Sequence, residues 1–516
     1  MRDLVELVLL LKGQRMKAGG WRGLLLEAGS RMEQLYDGIA SGKITSDEDA
    51  LKLIYHTDGL QGRLPSLKNK LKERLLDALF IIDFSQSGLS DRQTAYYECH
   101  KRWSAAMILL SRNAKITAVD LLETLMRHTV RFDFTELTLD IVRLLRLHYG
   151  TVEGNNRKYE YYREQYRYYQ TVGAAENEAE ELYSDLVIHY VNSKSANAQT
   201  RDLAVEYYER LAPYLVISES FKLQLCARLI QLMIYTTVAD YRKAAELSED
   251  AIAFFNKKPY SSGVPLQVFY YQLMVCYLQL HEYDKGKQLF AQYQNIFSEE
   301  GSFNWFKFQE LFFLFGMHTG NYEDALEVCI YIADHPRLAE QPDHIVESWR
   351  IYEAYVQYLM HIGLLPRREL AGRMGKFKVA KFLNEIPTFS QDRRGMNIPV
   401  LALQILFTIS SKEYEKAIDR VEAIEKYCSR YLRHNDTFRS NCFIKMLLQI
   451  PAGSFHKEAV VRKAGKYLEM LSSMPVEIAN QSHEIEIIPY EVLWEIILRY
   501  LPQQHYHFSQ KIKRVK

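Results

Sequence analysis

The chain has 516 residues, 48% of them hydrophobic and 25% charged, which is enough to bury a substantial core and excludes a disordered chain. Its net charge of +1 supplies no global field to steer it toward nucleic acid or an anionic membrane. Gly (24) and Pro (13) together make about 7% of the chain, against roughly 12% in average usage. Sheet-rich folds need these residues at many tight turns, so the shortage favours long helices joined by short loops.

The six cysteines are Cys99, Cys226, Cys276, Cys329, Cys428 and Cys442. None forms a CxxC pair, so zinc and dithiol redox chemistry have no sequence support. Scattered thiols on apolar segments suit a reducing compartment, and a cytoplasmic protein is expected. No stretch approaches eighteen apolar residues, so no membrane span is expected.

Residues 1–110 read as an irregular helical region. A first helix covers 3–16, Ser46-Asp47-Glu48-Asp49 cap a helix carrying Leu51 and Ile54, and Pro65 starts another through Leu79. Residues 91–150 read as three helices, and 111–192 as helical hairpins. Asn155 to Thr171 presents Tyr159, Tyr162, Tyr166 and Tyr169 on one stripe. Gly173 is expected to break the chain before a helix carrying Ala175, Ala179, Leu182 and Leu186, with a boundary at 192–199.

A repeat emerges in 200–450. An acidic or polar residue, Tyr, two polar residues and a small residue recur as Asp240-Tyr241-Arg242-Lys243-Ala244, Glu282-Tyr283-Asp284-Lys285-Gly286, Asn321-Tyr322-Glu323-Asp324-Ala325 and Glu413-Tyr414-Glu415-Lys416-Ala417. The tyrosines lie 42, 39 and 92 residues apart, the last gap being about two periods of a repeat of about forty residues. Each pattern follows an apolar helix, so Tyr is expected to open the second helix of a hairpin and the small residue to allow close packing on the first. Residues 364–397 interrupt the pattern with a basic stretch. Residues 451–516 add helices, one started by Pro489 and ended by Pro502, then a basic tail.

These segments, above all 311–333, resemble the tetratricopeptide repeat family. The resemblance covers 200–450 and, more loosely, 115–192. It implies an all-α fold, an α-solenoid of stacked antiparallel helical hairpins, with Tyr241, Ala244, Tyr283, Gly286, Tyr322, Ala325, Tyr414 and Ala417 as repeat-packing residues. First helices of the hairpins would line a groove that receives a partner peptide or helix.

No nucleotide-binding loop, HExxH or GxSxG is present. His344 and Glu347 lack further metal ligands, Cys99 and His100 point apart on a helix, and His483 to Glu486 reads as solvated charge. No metal, no cofactor and no catalytic residue is therefore expected. The sequence points to a non-catalytic scaffold or adaptor that binds another protein. The alternatives are a nucleic-acid-binding repeat protein, or a regulatory sensor whose output lies in residues 1–110. For partner binding the candidate residues are Tyr161, Arg163, Arg167 and Tyr168, where aromatic and basic side chains interleave, and Arg393 and Arg394 in the basic stretch. The acidic run Glu176, Glu178, Glu180 and Glu181 beyond the tyrosines would repel phosphate.

Overall fold

A computed structural model describes residues 1–12, 26–55, 63–83, 90–192, 197–293, 300–366, 378, 381, 397–431, 438–474 and 486–503. The chain is all-α: no strand occurs among the described residues. The chain divides into two compact units, Met1–Ala174 with Lys258–Ser262, and Ala175–Lys257 with Gly263–Lys516.

The first unit opens with α1 (Arg2–Lys12), α2 (Arg31–Ala40), α3 (Asp47–Tyr55) and α4 (Leu64–Leu79), which share a core of Leu4, Val8, Leu35, Tyr36, Leu71 and Leu75. The Ser46 hydroxyl accepts the Asp49 N–H while the Asp49 carboxylate accepts the Ser46 N–H, a reciprocal cap for α3. Hydrogen bonds to the carboxylate from the Thr45 backbone, and from Ser46 and the Thr45 hydroxyl, hold the Asp49 carboxyl down at about 2. Three further helices, α5 (Asp91–Ser111), α6 (Lys115–Arg131) and α7 (Thr135–Thr151), pack in sequence around Leu122, Leu125, Ile141 and Leu145.

The chain then forms one helix, α8 (Asn156–Asn192), without a break at Gly173. An interior glycine costs only about 1 kcal/mol against alanine. The buried stripe runs straight through it, from Tyr162 and Val172 to Ala175, Ala179, Leu182 and Leu186. Packing of that continuous face outweighs the local preference.

In the second unit α9 (Asn197–Ile217) precedes α10 (Phe221–Thr236), α11 (Tyr241–Asn256), α12 (Gly263–Gln279), α13 (Tyr283–Tyr293), α14 (Phe303–Thr319), α15 (Tyr322–Ala333) and α16 (Asp343–His361). Then follow α17 (Asn397–Ser410), α18 (Tyr414–Tyr431), α19 (Phe438–Ala452), α20 (Lys457–Ser472) and α21 (Tyr490–Tyr500). Consecutive helices pack on one another: α9 with α10, α10 with α11, α11 with α12, α12 with α13, α14 with α15, α17 with α18, and α19 with α20.

All four repeat tyrosines are the first residue of a second helix. Two residues before each lies a residue in the left-handed region: Ala239 (φ 57), His281 (φ 56), Gly320 (φ 78) and Lys412 (φ 60). The next N–H then reaches back five residues, Asp240 to the Tyr235 carbonyl at 3.0 Å, Glu282 to Tyr277 at 2.9 Å and Glu413 to Thr408 at 2.8 Å. This Schellman closure satisfies carbonyls that the first helix leaves open. The same turn recurs at Gly363 after α16, where the Leu364 N–H bonds the Leu359 carbonyl, and at Ser454, where the Phe455 N–H bonds the Ile450 carbonyl. Turns at 239, 281, 320, 363, 412 and 454 place a first-helix end every 39–49 residues, one of them between Tyr322 and Tyr414.

Of the four turns ahead of the repeat tyrosines, three carry a Cβ at the left-handed position, which costs roughly 1–2 kcal/mol there. Ala239→Gly, His281→Gly and Lys412→Gly should each stabilise the protein by about 0.5–1 kcal/mol after the added freedom of the unfolded chain is counted. Denaturant midpoints check this; a loss of stability in all three would contradict the turn geometry.

Candidate partner-binding surface

The repeat tyrosines act between pairs. Tyr283 stacks on Phe315 of the next pair at 5.4 Å, and its hydroxyl donates to Asp324 of the next second helix. Tyr414 meets Phe455 in the next turn at 4.7 Å. Tyr241, Ala244, Ala325 and Ala417 are buried, and Tyr322 is half-buried. Ala325 faces its own first helix, where Gly316 makes room: a Cβ on Gly316 would lie 3.1 Å from the Ala325 Cβ. Gly286 instead faces the following pair, and a Cβ there would run into the Phe315 ring. Gly286→Ala should therefore cost about 1–3 kcal/mol through forced repacking. Thermal unfolding reads this directly, and a neutral result would mean the ring moves freely aside.

A cleft of about 390 Å³ opens beside these turns, lined by Tyr283, Lys287, Asn321, Asp324 and Leu364 among others. Its Lys287 ammonium is 2.8 Å from the Asp324 carboxylate, and Glu323 adds a second acid to the lining.

In the first unit the tyrosine stripe of α8 packs inward. Tyr162 is buried, with Tyr159, Tyr166 and Tyr169 against the same core. Glu123 gathers this face, accepting from Tyr149 at 2.7 Å, Lys158 at 3.0 Å and Tyr162 at 3.2 Å. Burial and the neighbouring carboxylate push both tyrosine hydroxyls up. Tyr161 and Tyr168 remain outside, 51% and 41% exposed, each edge-on to its inward neighbour. Arg163 pairs with Glu160 and lies over the Tyr159 ring, and Arg167 is exposed. Arg393 and Arg394 lie outside the described residues. In the second unit the acids beyond this stripe bind the helices that follow. Glu178 pairs with Arg210 at 2.8 Å, Glu180 pairs with Lys222, and Glu176 is buried.

Comparison of the chain with protein-family models, with curated proteins and with solved structures finds no match. Function has to be read from the surfaces themselves.

The first helices do not line an open groove along their whole length. Residues 311–318 of α14, 351–356 and 358–360 of α16, and 398–409 of α17 are buried all round, while second helices such as α11 and α20 bury one face. The chain's own C-terminal segment accounts for part of this cover. The His318 imidazole, at the end of α14, donates from Nε2 to the Glu486 carbonyl. The Tyr500 hydroxyl donates to the Ile362 carbonyl just after α16 at 3.2 Å. α21 packs on α17 and α20, and Tyr490 stacks on Phe443 of α19 at 4.3 Å.

Glu486 is a correction to the expectation of solvated charge. It is 2% exposed and accepts from Arg439 Nε at 2.6 Å and Nη2 at 3.1 Å. Arg439, at the start of α19, also binds Glu491 at 2.7 Å, the Leu471 carbonyl at 2.9 Å and the Met474 carbonyl. The Ser440 and Tyr490 hydroxyls are 2.8 Å apart. The two carboxylates hold the guanidinium firmly charged, and burial keeps His318 neutral by lowering it to about 4. The sequence signal was the apolar flank Ile487-Ile488-Pro489, which brings any adjacent acid toward the core.

Among the described residues no helix is long and apolar enough to cross a membrane, and no cluster of His, Cys, Asp and Glu could hold a metal ion. Cys99 is buried, and burial raises its thiol to about 11, so it is held as a thiol rather than the nucleophilic thiolate.

Proposed function

We propose that the chain is a tetratricopeptide-like α-solenoid that serves as a non-catalytic scaffold for a partner protein, acting without a cofactor in the cytoplasm. The observation that carries this reading is the docking of one helix across several first helices. The layer that would line a solenoid groove meets residues 486–500 at His318, Ile362, α17 and Phe443, and α20 packs on the same helix. A surface that receives a helix from its own chain has the chemistry to receive one from another. The turn recurring every 39–49 residues supports the repeat architecture. The buried free thiols Cys99, Cys226, Cys276, Cys329 and Cys442 suit a reducing compartment.

Cross-linking of the full chain in its native extract, followed by mass spectrometry, tests the reading. The expected result is a defined partner protein cross-linked at Lys307 or nearby first-helix positions. Recovery of the chain alone under gentle conditions, or salt-dependent binding to single-stranded RNA in place of protein, would overturn it.

A further inference from the structure

Resting on the scaffold reading, we infer that residues 486–501 are an internal ligand of the groove, and that a partner displaces them with an amphipathic helix whose head presents the same pair of carboxylates.

The segment is seated as a bound helix would be. It meets the C-terminal ends of α14 and α16 through His318 and Ile362, then α17, then the start of α19. Its head is Glu486-Ile-Ile-Pro-Tyr-Glu491, and both carboxylates close on Arg439. Behind the head, Leu493, Trp494, Ile496 and Ile497 bury an apolar face at helical spacing. Acid head and apolar stripe together define what this surface recognises.

Polar contacts make the docking exchangeable. Ions buried in a pair lose hydration nearly as large as their mutual attraction, so the latch adds specificity more than strength. A partner helix with the same head would recover every contact that the internal segment gives up. Against such a partner, the internal segment's advantage is the high effective concentration its tether gives it.

A partner also has a surplus to gain, because a ligand shifts an equilibrium by its differential affinity alone. On α14 the residues Phe303, Lys307, Glu310, Leu314 and His318 follow one another at three and four, forming a single stripe. His318 is covered by the segment, whereas Phe303 at the other end is 44% exposed. The neighbouring first helix repeats this, with Val264 of α12 59% exposed. The stripe faces the first-helix layer, since Glu310 accepts from Tyr352 of α16 at 2.6 Å and the Phe303 ring lies 6.4 Å from His344. Glu310 and Leu314 between the two ends are already buried, so a partner gains by reaching past its helix onto Phe303 and Val264.

The test uses the full chain and a labelled synthetic peptide with the sequence of residues 486–502. In the Glu486→Gln, Glu491→Gln double variant the internal head loses its charges while its size is kept. The peptide should bind this variant at least tenfold more tightly than the wild type, because it returns the carboxylates to Arg439. A second measurement needs no variant: native-state hydrogen exchange of the wild type should show α21 amides opening well before those of α14, α16 and α17. Exchange of α21 only with the rest of the unit, or a peptide that binds neither protein, would overturn the inference and mark α21 as a fixed part of the core. A partner cross-linked elsewhere while the peptide fails leaves the scaffold reading standing. Peptide binding with no partner in the extract has the opposite meaning.

Discussion

Replacing Arg439 by methionine should weaken the docking of residues 486–501 by about 3–5 kcal/mol, the usual penalty for removing one partner of a buried ion pair. The guanidinium is bound at Nε, Nη1 and Nη2 by two carboxylates and two backbone carbonyls, and it is itself only 8% exposed. Methionine fills a similar space but leaves Glu486 and Glu491 without their counter-charge, and the carbonyls of Leu471 and Met474 without a donor. Each stranded group then carries its desolvation cost. The effect should appear as faster amide exchange throughout α21 and an earlier guanidinium midpoint. A compensated variant separates the charge from the packing. Arg439→Met combined with Glu486→Leu and Glu491→Met removes all three ions, and most of the lost stability should return, since apolar groups of similar volume replace such networks at little or no cost. A cost below about 1 kcal/mol for Arg439→Met alone would show that water reaches the site.

The repeat was legible because its marks are local. Tyr241, Tyr283, Tyr322 and Tyr414 each open a second helix, and the small residue three positions on is buried at Ala244, Ala325 and Ala417. The turns were not legible, because the residue that reverses the chain is alanine at 239, histidine at 281 and lysine at 412. The physical signature of a left-handed position is glycine, and these turns are closed by backbone bonds that favour no residue type. The turn at Gly363 was hidden for the opposite reason: the glycine is present but no Tyr-x-x-Ala follows it.

The misreadings share one cause, the priority of tertiary packing over local preference. Gly173 breaks helices in isolation, yet the stripe through Val172 and Ala175 holds α8 together. Glu486 looks like surface charge until Arg439, 47 residues earlier, is folded against it. No window of sequence pairs those two. The apolar composition of 311–317, Leu-Phe-Phe-Leu-Phe-Gly-Met, did carry the signal that α14 is covered on every side, because a helix apolar all round belongs in an interior. The identity of its cover lay 168 residues away, in the carbonyl of Glu486 that His318 binds.

That contact makes the protein sensitive to acid. His318 is fully enclosed, and its pKa falls from 6.5 to about 4 because burial opposes the cation. His281 and Arg439 oppose it further, while the Glu486 carbonyl and the Glu491 carboxylate favour it. Between pH 6.5 and 4 the unfolded chain therefore binds a proton at this position that the folded chain does not. Stability is full above pH 6.5 and falls as pH drops through that window. For a shift of this size the loss is about 3 kcal/mol by pH 4. His318→Gln can still donate to the carbonyl, from its side-chain amide, but cannot titrate. Denaturant midpoints of wild type and variant should therefore converge as the pH is lowered from 7 to 4, with the wild type losing about 3 kcal/mol more. Parallel pH profiles would mean that folding leaves the His318 pKa unshifted, and a wild type that gains stability over the variant as the pH falls would mean that His318 carries its proton in the folded protein. The polar contact between α14 and the C-terminal segment would then be charge-assisted, and acid would tighten the segment rather than release it.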